Sequence, residues 1–156
     1  MPKLAAVALV LALAAGCAGR QKMPPIPDTP DAKAVLAVLE SYRKAMEAKD
    51  VPGILAVVSP DYHDDMGTPE AGDDLTYDDL KRKLSKDLAH LKTLRLEIDV
   101  LKLRFTDKEQ VAKVEYRYDL RFQTHMPSGD TWHNALDVKR MVLRREGRSW
   151  KVVAGL

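Results

Sequence analysis

Residues Val111–His125 read VAKVEYRYDLRFQTH, and this stretch decides the fold. Val114, Tyr116, Tyr118, Leu120 and Phe122 fall on one side of it, and Lys113, Glu115, Arg117, Asp119 and Arg121 on the other. Alternation with a period of two is the pattern of a β-strand with one buried and one wet face. Sheets of such strands are antiparallel, and other elements must cover their apolar side. The charged side alternates in sign, as cross-strand ion pairing on a solvated face would require.

Working outward, Met126-Pro127-Ser128-Gly129-Asp130 turns the chain into a long strand, Thr131–Arg145, which must bend. Glu146-Gly147-Arg148 is a tight turn, and Ser149–Ala154 returns as a last strand. On the other side, Thr106-Asp107-Lys108-Glu109 is a turn entered from Leu94–Phe105. That strand alternates as Leu94, Leu96, Ile98 and Val100, then slips phase to Leu101, Leu103 and Phe105, which predicts a bulge or sharp bend at Val100–Leu101.

Helices precede the strands. Thr29 or Asp31 can cap the first, with Pro30 in its first turn and Val35, Val38, Leu39, Tyr42 and Met46 at helical spacing. Asp50 caps a short second helix that Ser59-Pro60-Asp61 ends. Tyr62–Asp65 is a short extended piece, and Met66–Leu75 a loop rich in Gly, Pro and Asp. Thr76 and Asp79 have capping-box spacing for a third helix, striped by Leu80, Leu84, Leu88 and Leu91.

The chain has 156 residues, which suits one domain. Its 25 basic and 23 acidic side chains are spread throughout, for a net charge of +2, and nothing concentrates the basic charge that a nucleic-acid binder needs. The single cysteine excludes an internal disulfide and any zinc site built on several thiolates.

That cysteine has a telling place. Met1–Ala15, MPKLAAVALVLALAA, is one lysine followed by an apolar run too short to span a membrane comfortably, and reads as a signal peptide. Leu13-Ala14-Ala15-Gly16-Cys17 then resembles a bacterial lipobox, with Ala14 where leucine is commonest. The resemblance implies cleavage before Cys17, diacylation of its thiol and acylation of the new amino terminus. An ordinary secretory cleavage after Gly16 or Ala18 is the alternative. Two or three acyl chains, at about 0.8 kcal/mol per buried methylene, hold a domain on a bilayer almost permanently. Ala18 in place of Asp after the cysteine resembles the outer-membrane sorting pattern. Ala18–Pro30 carries four prolines and reads as an extended tether, reaching about 40 Å when stretched. The expected organisation is therefore residues 1–16 as signal peptide, 17–30 as lipidated cysteine and tether, and 31–156 as the folded domain.

The order of elements resembles the nuclear-transport-factor-two-like superfamily, to which SnoaL-like and ketosteroid-isomerase-like proteins belong. Local text agrees: Tyr42-Arg43-Lys44-Ala45-Met46 running into Lys49-Asp50-Val51-Pro52-Gly53, the ending Ser59-Pro60-Asp61-Tyr62, and the last hairpin Arg144-Arg145-Glu146-Gly147-Arg148-Ser149-Trp150. The resemblance implies an α+β fold, a cystatin-like roll in which a curved antiparallel sheet forms a cone over three N-terminal helices, with Trp150 packed inward. Dimers in the superfamily often use the outer sheet face, but the charges here argue for a monomer or a weak homodimer.

Fold does not fix function. The isomerase pattern wants a tyrosine on the first helix, a carboxylate base after the second and a protonated acid on a late strand. Tyr42 matches the first, Asp64 and Asp65 lie near the second, and the third falls on Met141. Tyr62-His63-Asp64-Asp65 is the densest polar cluster, but neighbours on an extended segment point to opposite faces. His133 and Asp137 share a strand face about 13 Å apart. The histidines have no ligand spacing, and neither a metal nor a cofactor is expected. Tyr116, Tyr118 and Phe122, with Trp132 nearby, line either an apolar pocket or a packed core.

The pocket candidates are thus Tyr42, Tyr62, Asp64, Tyr116, Tyr118, Trp132, His133 and Asp137. The favoured expectation is an envelope lipoprotein, anchored by lipid in the outer membrane and facing the periplasm. Its domain would be non-catalytic, binding a small apolar ligand or a partner protein. The alternatives are an acid/base isomerase or dehydratase using Tyr42, Asp64 and His133 or Asp137, and a filled, purely structural domain. An open apolar cone without paired acids would favour ligand binding.

Overall fold

Thr29 opens the first helix: its hydroxyl accepts the Ala32 N–H at 3.1 Å, and Pro30 takes the first helical position, where no donor is missed. In the computed structural model, which describes residues 25–67, 72, 74–127 and 129–156, helix α1 runs Pro30–Glu47 and α2 Val51–Ala56. The signal peptide, Cys17 and the start of the tether lie outside the described residues. Among the described residues no helix is long and apolar enough to cross a membrane. Asp50 caps α2 through the Gly53 N–H, and a Cβ at position 53 would sit 2.3 Å from the Asp50 carboxylate, so any larger residue there would displace the cap.

Strand β1 is His63–Asp64 and β2 is Leu75–Thr76, and the two pair antiparallel. The sequence placed Leu75 at the end of a loop; a two-residue strand shows no periodicity to read. Thr76 and Asp79 complete the capping box of α3, Tyr77–Ala89. Leu80 and Leu88 are buried on its inner stripe. Leu91, expected to continue that stripe, instead opens β3, Leu91–Thr106, because the helix has already ended at His90.

Strands β4, Val111–Met126, β5, Gly129–Glu146, and β6, Ser149–Ala154, follow, and the sheet order is β3-β4-β5-β6, antiparallel throughout. The predicted bulge is present: Val100 pairs with Tyr116 and Lys102 with Glu115, leaving Leu101 unpaired in the ladder. The extra residue bends β3 and swings the sheet round the helices. The result is an α+β cone with the helices inside the curve.

The alternation in β4 holds. Val114 and Tyr116 are buried on the concave face, whereas Lys113, Arg117 and Arg121 are exposed on the convex one. Arg117 pairs there with Asp99, its direct neighbour on β3. The core runs from Ala32, Val35 and Leu39 of α1 to Val114, Met141, Leu143 and Val152 of the sheet, with Trp150 packed inward on Phe105.

Each end of the sheet is closed differently. The outer edge of β3 is met by side chains: Glu47 accepts the Leu96 N–H at 3.1 Å, and Lys49 donates to the Leu91 carbonyl at 2.8 Å. The outer edge of β6 is met by backbone, with Ser59 N–H donating to the Val152 carbonyl and Val152 N–H to that of Val57. Ser59 is fully buried and donates its hydroxyl to Glu146 at 2.7 Å, while Arg144 bridges Glu146 and Asp61.

Candidate functional site

Helices α1 and α3 do not fill the curve of the sheet. A cavity of about 290 Å³ remains between them, β3, β4 and β5. Its walls follow from the patterns that built the elements. The helices supply Tyr42, Met46, Leu80 and Leu84, and the concave sheet face supplies Leu96, Ile98, Tyr116, Tyr118 and Leu120. Leu156 lies on one wall, and Lys83, Asp87 and Lys139 complete the lining. The volume lies at the lower end of the ~300–1,000 Å³ range of ligand pockets.

The polar character of the interior is phenolic. Burial pushes the Tyr42 and Tyr116 hydroxyls well above the ordinary tyrosine value, so both stay protonated at neutral pH. A neutral phenol in an apolar wall is a hydrogen-bond donor rather than a base. Lys83 and Asp87 pair with each other at 2.8 Å across one helical turn. The Lys139 ammonium stands 5.8 Å from the centre of the Tyr118 ring, a cation–π arrangement.

Of the eight pocket candidates, the structure brings Tyr42, Tyr116 and Tyr118 together on the cavity. Tyr62 and Asp64 meet elsewhere. The Tyr62 hydroxyl donates to Asp64 Oδ2 at 3.1 Å and accepts the Leu156 N–H at 3.1 Å. Asp64 also accepts the Gly155 N–H at 2.8 Å and the Met66 N–H at 3.1 Å. Gly155 is obligatory in this knot: its φ is +93°, and a Cβ would sit 2.0 Å from the Arg140 carbonyl. Asp64 therefore fastens the end of β6 to β1, and its carboxylate does not line the cavity.

Trp132, His133 and Asp137 lie on the outlying half of β5. Trp132 pairs with Gln123, which puts it on the convex face, 58 % exposed. His133 stacks on Phe122 with ring centres 5.0 Å apart, and its Nε2 lies 3.0 Å from the Thr124 hydroxyl. Asp137 accepts the N–H of the next residue, Val138, at 2.7 Å. Among the described residues no three His, Cys, Asp or Glu side chains gather as a metal ion would require. Lys139 was not among the candidates, although it was readable: it sits opposite Tyr116, on the inward phase of β5 that Met141 shares.

The architecture has close parallels among solved structures. The fold is nuclear-transport-factor-two-like. A candidate dehydratase of the NTF2-like family from Streptomyces avermitilis matches 83 % of this chain and 95 % of its own, with a TM-score of 0.65 and 19 % identity. A ketosteroid isomerase-like protein from Erwinia carotovora atroseptica matches 79 % and 91 %, with a TM-score of 0.62 and 15 % identity. A candidate scytalone dehydratase from Novosphingobium aromaticivorans matches 79 % of each chain, with a TM-score of 0.64 and 12 % identity. At such identities the likeness is one of fold. No family model matches the sequence, and no curated protein is similar to it. Within the nuclear-transport-factor-two-like cone, Met141, where the isomerase pattern seeks its late-strand acid, is fully buried core.

Proposed function

We propose that this nuclear-transport-factor-two-like domain is a non-catalytic binding module for a small, largely apolar ligand bearing an oxygen acceptor. The observation that carries the reading is the cavity itself. Aliphatic side chains and phenols kept neutral by burial line its interior, the carboxylate on its lining, Asp87, is paired with Lys83, and Asp64 is engaged away from it in the Tyr62–Gly155 knot. Burying an apolar body there supplies the affinity, and the phenols fix its orientation. The lipobox-like sequence ending in Cys17 supports the further reading that the module is a lipoprotein of the bacterial envelope, held on the outer membrane and facing the periplasm.

Native mass spectrometry of the purified chain, with titration of the apolar fluorophore N-phenyl-1-naphthylamine, tests the binding reading. A retained small molecule, or fluorophore binding that Leu120→Trp abolishes while the melting temperature holds, is the expected result. A folded protein that neither retains a ligand nor takes up the fluorophore rejects it.

A second reading is an acid/base enzyme, favoured by the Tyr42 phenol on the cavity and by the dehydratase and isomerase names of proteins that share the fold. It requires turnover that Tyr42→Phe abolishes without loss of ligand binding.

A further inference from the structure

The lining of the cavity is sorted by depth. Leu80, Leu96 and Tyr116 form its inner wall, at 3 %, 4 % and 3 % exposure. The charged side chains on the lining are open to solvent and therefore mark its mouth. Lys83 and Asp87 of α3 have 58 % and 51 % of their side chains exposed, and Lys139 of β5 is exposed as well.

Among the described residues the mouth thus holds two ammoniums and one carboxylate side chain. That carboxylate is taken, because Lys83 holds Asp87 at 2.8 Å. The nearest acid along β5, Asp137, faces inward opposite Tyr118 but accepts the Val138 N–H at 2.7 Å. Lys139 has no ion-pair partner among the described residues. Its neighbour is the Tyr118 ring, 5.8 Å from the ammonium to the ring centre. The ring keeps the ammonium beside the cavity without neutralising its charge, and none of its three N–H donors is used up by a ring face.

We propose, resting on the binding reading above, that the ligand is an amphiphilic anion, its apolar body inside the cavity and a singly charged oxyanion such as a carboxylate on the Lys139 ammonium at the mouth. Charge decides among the possible heads. A cationic head would add a third positive charge where the one lining carboxylate is already paired. A neutral body filling the mouth would strip water from Lys139 and give nothing in return. An oxyanion replaces that water with a charge-assisted hydrogen bond. Lys83 stands ready to join it, since an exposed pair one helical turn apart is weak and Asp87 holds it loosely.

Two fluorophores test this on the purified full chain. N-Phenyl-1-naphthylamine and 8-anilino-1-naphthalenesulfonate share one ring skeleton and differ by a sulfonate, which stands in for the oxyanion. The ratio of their affinities therefore isolates the charge. Lys139→Met keeps an apolar stem and removes the ammonium. It is expected to lower the sulfonate-to-neutral ratio about fivefold, and Lys139→Arg to restore it. Raising salt to about 1 M, where the Debye length is about 3 Å, is expected to bring the wild-type ratio down towards that of Lys139→Met. Leu120→Trp is expected to abolish binding of both fluorophores, which places them in the cavity. A ratio indifferent to Lys139→Met, with the neutral fluorophore bound, overturns the anionic head and leaves the binding reading standing. Sulfonate binding that survives Leu120→Trp is surface binding and also overturns it. A folded chain that takes up neither fluorophore overturns both readings.

Discussion

Asp64 shows how one side chain changes meaning between sequence and structure. In sequence it is a carboxylate beside a histidine, near the place an isomerase keeps its base. In the fold it gathers the Tyr62 hydroxyl and the N–H groups of Met66 and Gly155. The Gly155 partner lies 91 residues away, so no local pattern could reveal it. Asp64→Ala strands three donors and should cost about 2–4 kcal/mol, read as a lower melting temperature. Ligand retention by the surviving folded fraction should not change; a variant of unaltered stability that no longer retains ligand would return Asp64 to the site. Glu47 makes a second prediction. Its carboxyl is held below the ordinary 4.5, first by the Leu96 N–H and then by Arg43. A carboxyl depressed in the folded state stabilises fully above its unfolded value, and that contribution is lost as pH falls through the folded one. Glu47→Gln should therefore flatten the fall in melting temperature between about pH 5 and pH 2. An unchanged acid limb would show that the Leu96 contact does not couple folding to pH.

At the level of elements, much was legible, and for identifiable reasons. Strand β4 announced itself by alternation, the three helix caps by residue type, and the bulge by a phase slip that a regular ladder cannot absorb. Strand β2 was hidden because two residues carry no period. Leu91 misled because its spacing continues the Leu80–Leu84–Leu88 stripe after the helix has stopped. Trp132 looked like a pocket residue until pairing with Gln123 fixed its face. The cavity was foreseeable as a choice between pocket and packed core, because the tyrosines are compatible with both. Its opening depends on how strongly β3 bends, which makes the bulge the element to remove. Deleting Leu101 keeps Val100 and Leu103 facing inward and restores a regular ladder with β4 from Thr93 to Thr106. The variant should fold, with a flatter sheet and several-fold weaker binding of the apolar fluorophore. Full affinity in a folded deletion variant would show that the cavity does not depend on this bend.

For the whole molecule, the proposed anchor places the domain on a surface instead of in free solution. Cys17→Ser should move the chain from the detergent-requiring membrane fraction to the soluble fraction and remove any acyl mass from the mature protein. Equal partition of variant and wild type would reject lipidation. The closure of the β6 edge has a consequence of another kind. The sheet is a meander, so each hairpin can form between neighbouring segments as they become available, and such local contacts form quickly. The helices are different. They are synthesised first, yet their apolar stripes have no cover until the sheet exists. The seam that seals them, from Val57–Ser59 to Val152, joins the end of α2 to the last strand of the sheet. Loop-closure entropy opposes that contact until the hairpins have drawn its ends together. What is made first is therefore buried last, and throughout that interval the exposed stripes of α1 and α3 are the surface on which misassembly would begin.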